Sequence, residues 1–165
     1  MEASLIEAVH AASKRQDVAD AVHALYARVT AEIDQRRPKC EMSGRCCNFE
    51  AYGHRLYVTT LELAAFLHDL PAQQFPSTMP STGCPFQINK LCTVHAIRPF
   101  GCRIFFCDPT ATEWQQSAYE RFHAELKQLH ASLDVPYAYM EWRAGLSAVF
   151  ATPDHAGRVE GERVL

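Results

Sequence analysis

All seven cysteines of this chain fall between Cys40 and Cys107, a window of 68 residues, and neither flank contains one. About one residue in ten of that window is a cysteine, a density that belongs to disulfide scaffolds or to metal sites. The first residues, MEASLIEAVH, lack a basic stretch followed by an apolar run, and no 18-residue apolar segment occurs anywhere. The expectation is a soluble, cytoplasmic protein in a reducing compartment, where structural disulfides are disfavoured. An odd count would also leave one thiol without a partner. Thiolate chemistry remains.

A chain of 165 residues with 48% hydrophobic and 21% charged residues can bury a core of its own, and it reads as a single globular domain over 1–165. Sixteen basic against 19 acidic residues give a formal charge of -3 with no long run of one sign. That balance argues against a partner recognised through its phosphate backbone. No nucleic acid and no membrane is expected as a partner.

Periodicity organises the flanks. From Asp17 the apolar residues Val18, Val22, Leu25, Tyr26, Val29 and Ile33 recur at helical spacing, with Asp17 as cap and Pro38 as stop. A shorter helix carrying Leu5, Ile6 and Val9 precedes it, broken around Ser13 to Gln16, and together these fill 1–38. A short strand is expected at Arg55 to Thr59, followed by a helix whose start carries Thr59 and Glu62 in capping-box spacing and which Pro71 ends. The segment 72–83 is a loop by composition. Cys84 to Ile88 and Leu91 to Val94 flank Asn89 and Lys90 as a tight hairpin. Within 110–150, one helix is expected from about Thr112 to Leu133 and another over Tyr137 to Phe150; 151–165 reads as a loosely held tail. The fold class is mainly α, a helical shell around an irregular, cysteine-rich centre with a small β-hairpin.

Each cysteine of the 40–107 region sits in or beside a turn, a proline or a glycine. Irregular backbone can bring thiolates from distant segments to one point and offer free N–H groups to the sulfur charge. Core thiols acting as small hydrophobes would instead occupy apolar positions of regular helices. Zinc sites commonly use CxxC pairs, and this chain has none. Iron–sulfur clusters accept wider spacing because each cysteine binds a different iron, and the adjacent Cys46 and Cys47 point in different directions along the backbone. A polynuclear centre suits the pattern better than one ion.

The blocks Cys40-x-x-Ser43-x-x-Cys46-Cys47, Cys84-Pro-Phe, Cys92-x-x-His95 and Arg98-Pro-x-x-Cys102-Arg-x-Phe-x-Cys107 resemble the CxxCxxCC, or YkgJ-like, cysteine-cluster family. That family is described as a zinc- or iron-chelating domain and is often labelled an iron–sulfur protein. The resemblance covers Cys40 to Cys107, with four separated blocks in the family's order. It implies a ligand pool of Cys40, Cys46, Cys47, Cys84, Cys92, Cys102 and Cys107. The family's second cysteine is Ser43 here, and a serine is a poor substitute for a thiolate ligand. Some larger flagellin lysine methylases carry a similar domain, which leaves a protein-modifying enzyme open, although no glycine-rich loop for S-adenosylmethionine is evident.

Arg45, Arg98 and Arg103 flank these cysteines and are the candidates to offset the charge of the bound cofactor; bracing of turns is the competing role for Arg98 and Arg103. His95 is a candidate nitrogen ligand or donor to sulfur, and His54 a weaker one. Glu7 with His10, Asp20 with His23 and Glu120 with His123 have the acid-x-x-His spacing of di-iron bundles, but helical phase turns them away from the core stripes. Trp114, Trp142, Tyr137 and Tyr139 read as core or groove aromatics. The leading expectation is a 4Fe-4S cluster on thiolates from three or four segments; the alternative is a zinc-stabilised interaction module without redox activity, and a protein partner or protein substrate fits either.

Overall fold

In a computed structural model, residues 3–41 and 43–151 are described, and the expected tail beyond residue 151 lies outside them. The mainly-α expectation holds. Helices α1 (Ala3–Ser13) and α2 (Gln16–Arg36) open the chain, and α2 buries Val18, Val22, Leu25, Tyr26 and Val29 on one face. Arg15, not Asp17, occupies the N-cap of α2. Asp17 lies in the first turn, where a carboxylate complements the helix dipole, and takes two N–H bonds from Arg15 at 3.1 and 2.8 Å.

Strand β1 (Tyr57–Thr59) leads directly into α3 (Thr60–Asp69), and the capping box is formed, with Thr59 accepting from the Glu62 N–H and Glu62 from the Thr59 N–H. Strands β2 (Gln87–Ile88) and β3 (Leu91–Cys92) make the expected hairpin. Its turn residues, Asn89 and Lys90, hold φ of 51° and 65°, the left-handed pair that an I′ turn requires even without glycine. Helix α4 (Phe100–Ile104) is a single short turn-and-a-half that periodicity could not reveal, and α5 (Thr112–Ser132) follows as expected.

One expectation fails. The stretch from Tyr137 is not helical throughout: Tyr139–Glu141 forms strand β4, antiparallel to β1, and only Trp142–Phe150 is helix, α6. The aromatic side chain at position 139 suits a pleated surface, and the β1 edge pairs with Tyr139, Met140 and Glu141. Glu141 then caps α6, accepting from the N–H groups of Arg143 and Ala144. Trp142 is buried, as expected, but Tyr137 and Tyr139 are each 43% exposed.

The helices share one core in which Phe66, Leu126, Trp142 and Leu146 are buried with Val18 and Val22. Phe49, Phe86, Val94, Phe100 and Ile104 extend that core under the irregular cysteine segments and anchor them. Among the described residues, no helix is long and apolar enough to cross a membrane.

Glu62 ties this scaffold to the cysteine region. Only 2% exposed, it accepts the Thr59 N–H through Oε2 at 2.7 Å and the Phe100 N–H, at the start of α4, through Oε1 at 3.0 Å. Burial lifts its carboxyl from 4.5 to about 7 against those two bonds. A carboxyl raised in this way keeps a proton that the unfolded chain releases, so its contribution is complete below the unfolded value and is lost as pH rises through the folded one. The loss amounts to about 3 kcal/mol. Glu62→Gln is expected to flatten that fall in stability between about pH 4.5 and 7, as read by urea unfolding; the same slope in the variant would assign it to another group.

Candidate metal centre

Cysteine convergence begins with the 3-10 turn Arg45–Cys47. Gly44 enters it at φ 73°, and a side chain there would meet Gln87 Nε2 at 2.7 Å and the Lys90 carbonyl at 3.1 Å. Glycine is required by both backbone and space, and the contact seats the β2–β3 hairpin against the turn. Gln87 Nε2 donates to the Gly44 carbonyl at 2.9 Å, and the Cys84 N–H to the Cys47 carbonyl at 2.9 Å. Two segments 40 residues apart are thus locked together by backbone groups, and their cysteines meet.

Cys47 is the buried hub. Its sulfur lies 3.9 Å from Cys46 Sγ, within thiol hydrogen-bond reach, and Cys84 and Cys92 act on its thiol as well. The thiol proton is held tightly, most by the bond to Cys46. Its partners are drawn the other way: hydrogen bonding from Cys47 first, with Arg98 further off, brings Cys46 and Cys92 to about 6. Cys84 is lowered by Cys47 and then by the Phe86 N–H and Trp142 against its own burial. The Trp142 indole nitrogen is buried and has no hydrogen-bond partner among the described residues.

Cys102, on α4, belongs to the same group: burial raises its thiol first, then the fields of Cys84, Cys46 and Cys92, while Arg98 opposes them. The structure therefore places Cys46 and Cys47 against the hairpin segment of Cys84 and Cys92, while Cys102 feels their charge from α4. No such interaction joins Cys40 or Cys107 to them among the described residues; Cys40 is exposed and Cys107 half-buried. Among those residues no group of three or more His, Cys, Asp or Glu side chains is found that could hold a metal ion. Cys46 and Cys47 are joined by a thiol hydrogen bond.

The flanking cations divide by role. Arg98 donates from Nε to the Cys102 carbonyl at 3.2 Å and from Nη1 to the His95 carbonyl at 2.5 Å, so it braces the turn while its charge acts on three thiols. Arg103 binds the Arg98 and Ala96 carbonyls and lies over the Tyr26 ring at 4.1 Å, which is the bracing role. Arg45 is exposed, its guanidinium 5.6 Å from the Tyr52 ring centroid. His95 faces Arg98 through Nδ1 at 2.8 Å and is kept neutral by burial and that charge. His54 pairs its Nε2 with the Cys46 carbonyl at 3.3 Å. Ser43 Oγ accepts from the Arg45 N–H at 3.4 Å, a turn-forming role ordinary for serine.

The acid-x-x-His pairs do not converge. His23 bonds Asp69 at 2.5 Å, His123 bonds the Tyr137 hydroxyl at 3.0 Å, and His10 is buried, not solvent-facing. Trp142 and Glu62 are the contributors that sequence reasoning missed: one lies beside Cys84 from a helix 58 residues away, the other holds the start of the Cys102 helix. Only the capping-box spacing of Glu62 was a signal. No protein-family model, curated protein or solved structure matches this chain.

Proposed function

We propose that this protein binds a metal centre through thiolates, with Cys46, Cys47, Cys84 and Cys92 as ligands and Cys102 beside them. The observation that carries the reading is the Cys46–Cys47 pair, 3.9 Å apart, on a turn bonded to the hairpin segment that carries Cys84 and Cys92. Crowding of thiols is unfavourable once they ionise, and a cation is the ordinary means of holding thiolates together. The lowered Cys46 and Cys92 thiols suit ligation, because the thiolate is the binding form.

An iron–sulfur cluster is the occupant we favour. The ligand cysteines come from separate segments without a CxxC pair, which suits a cluster whose irons are bound one thiolate each, and Arg98 supplies charge against a thiolate-bound cluster. Such a cluster would bring one-electron redox chemistry, while the chain's own groups position the sulfurs and the surroundings of Cys84 at Phe86 and Trp142 favour its thiolate. The second reading, a single structural ion, is favoured by one distance. Two thiolates on one tetrahedral ion with bonds near 2.3 Å stand about 3.8 Å apart, and Cys46 and Cys47 are separated by 3.9 Å despite being adjacent in sequence.

Anaerobic purification followed by iron, zinc and acid-labile sulfide analysis separates the two. The cluster reading expects a brown protein whose broad visible absorption bleaches with dithionite and fades in air. A colourless protein with stoichiometric zinc and no sulfide would overturn it and leave the structural ion.

A further inference from the structure

Backbone groups hold Cys47 and Cys84 against each other. The Cys84 N–H donates to the Cys47 carbonyl at 2.9 Å. One residue earlier, the Gly83 N–H donates to Glu50 Oε2 at 2.7 Å, and Arg143 holds the other carboxylate oxygen at 2.5 Å. Gly83 takes a φ of 73°, and a Cβ placed on it would stand 3.3 Å from the Cys47 carbonyl oxygen, so glycine is what lets the two segments approach. Residues bonded in this way in a sheet hold their Cα atoms about 5.5 Å apart, within the span of about 4.4–6.8 Å that a disulfide bridges. The Cys84 side chain is also among those that act on the Cys47 thiol.

Cys46 is nearer to Cys47 but bridges it less well. Their sulfurs lie 3.9 Å apart, yet consecutive Cα atoms stand only about 3.8 Å apart, short of that span, so joining adjacent cysteines strains the backbone. Access separates the thiols further. Cys47 is only 7% exposed, whereas Cys84 is half-buried and lies on the wall of an open cleft of about 350 Å³ with Asn48, Thr78, Thr82 and Gln87. The residues lining this cleft include hydroxyl and amide groups and no charged side chain. A small, neutral molecule that hydrogen-bonds suits it.

We propose that the cleft admits a small hydroperoxide to Cys84 and that Cys47, behind it, closes with Cys84 into a disulfide. The Cys84 sulfur attacks one peroxide oxygen, the O–O bond breaks, and the other oxygen leaves as an alcohol, or as water from hydrogen peroxide, carrying the thiol proton. Cys84 is then a sulfenic acid. The Cys47 sulfur attacks it, the S–S bond forms, the S–O bond breaks, and the hydroxyl leaves as water with the Cys47 proton. Two thiols lose two electrons and the hydroperoxide gains them. Formation of the bridge needs no metal, but its consequence rests on the metal reading: two of the four proposed ligands are consumed, so oxidation closes the centre to metal.

The test exposes the full chain, purified anaerobically and used both as purified and after chelator, to equimolar hydrogen peroxide, then quenches it with iodoacetamide and maps its peptides without reduction. The main product expected is a cross-linked pair carrying Cys47 and Cys84, lighter by two hydrogens and reopened by dithiothreitol. Cys47→Ser should lose the bridge and leave a Cys84 sulfenic acid that dimedone traps. Thr82→Phe, which fills the cleft, should slow bridging roughly tenfold while keeping both thiols, since access governs which thiol oxidises. A main product joining any other pair, or bridging that Thr82→Phe leaves at full rate, would overturn the inference. Metal content is measured on the same preparations. Protein that holds no metal and still forms the bridge supports the inference and counts only against the metal reading, whereas metal-loaded protein that forms no Cys47–Cys84 bridge before or after chelator overturns the inference alone.

Discussion

Removing the metal is expected to lower the melting temperature by about 10 °C and to open residues 43–107 to protease, while α2 and α5 survive as helix. Ordered structure in that segment is short: a 3-10 turn, a hairpin with two-residue strands and the five-residue α4. Such pieces do not form alone, since nucleating a turn costs more than its few hydrogen bonds return. They are held by Phe49, Phe86, Val94, Phe100 and Ile104 in the core, and by whatever joins the sulfurs. Metal binding to thiolate sites contributes on the order of 10 kcal/mol of apparent free energy. Even a third of that, at about 2–4 °C per kcal/mol for a chain of this length, gives the stated shift. Differential scanning calorimetry with and without chelator, and limited proteolysis of both forms, make the measurement; coincident melts and identical cleavage would contradict a metal-held segment.

The second large effect concerns which cysteines matter. Cys47→Ser is expected to lower metal affinity by more than about 100-fold, because even the partners of ligands typically change affinity 10- to 100-fold. Cys46→Ser, Cys84→Ser and Cys92→Ser should do likewise, and Cys102→Ser should follow with a smaller loss. Cys40→Ser and Cys107→Ser should keep their metal, since neither sulfur joins the group around Cys47 among the described residues. Ser43→Ala should also keep it, losing only the 3.4 Å bond to the Arg45 N–H. Metal content per chain after anaerobic purification gives the ranking. Full occupancy in Cys47→Ser beside an empty Cys107→Ser site would reverse the assignment.

Local sequence determined a good deal of this protein. The apolar spacing of α2 and α5, the Thr59–Glu62 capping box and the two-residue turn at Asn89 and Lys90 are short-range features, set by contacts within a few residues of one another. The restriction of cysteine to 40–107 likewise marked the candidate region before any coordinates. Tertiary structure decided the rest, because it depends on partners far away in the chain. Tyr139–Glu141 became a strand only because β1 offered an edge 80 residues earlier. Cys46 and Cys47 lie against the segment of Cys84 and Cys92 because the Gly44 turn and the hairpin lock through the Gln87 amide and the Cys84 N–H, bonds that no spacing rule encodes. Trp142 reaches Cys84, and Glu62 holds the first turn of α4, through a core assembled from every helix. Periodicity reports which face of an element is buried; what that face meets is settled only when the elements pack.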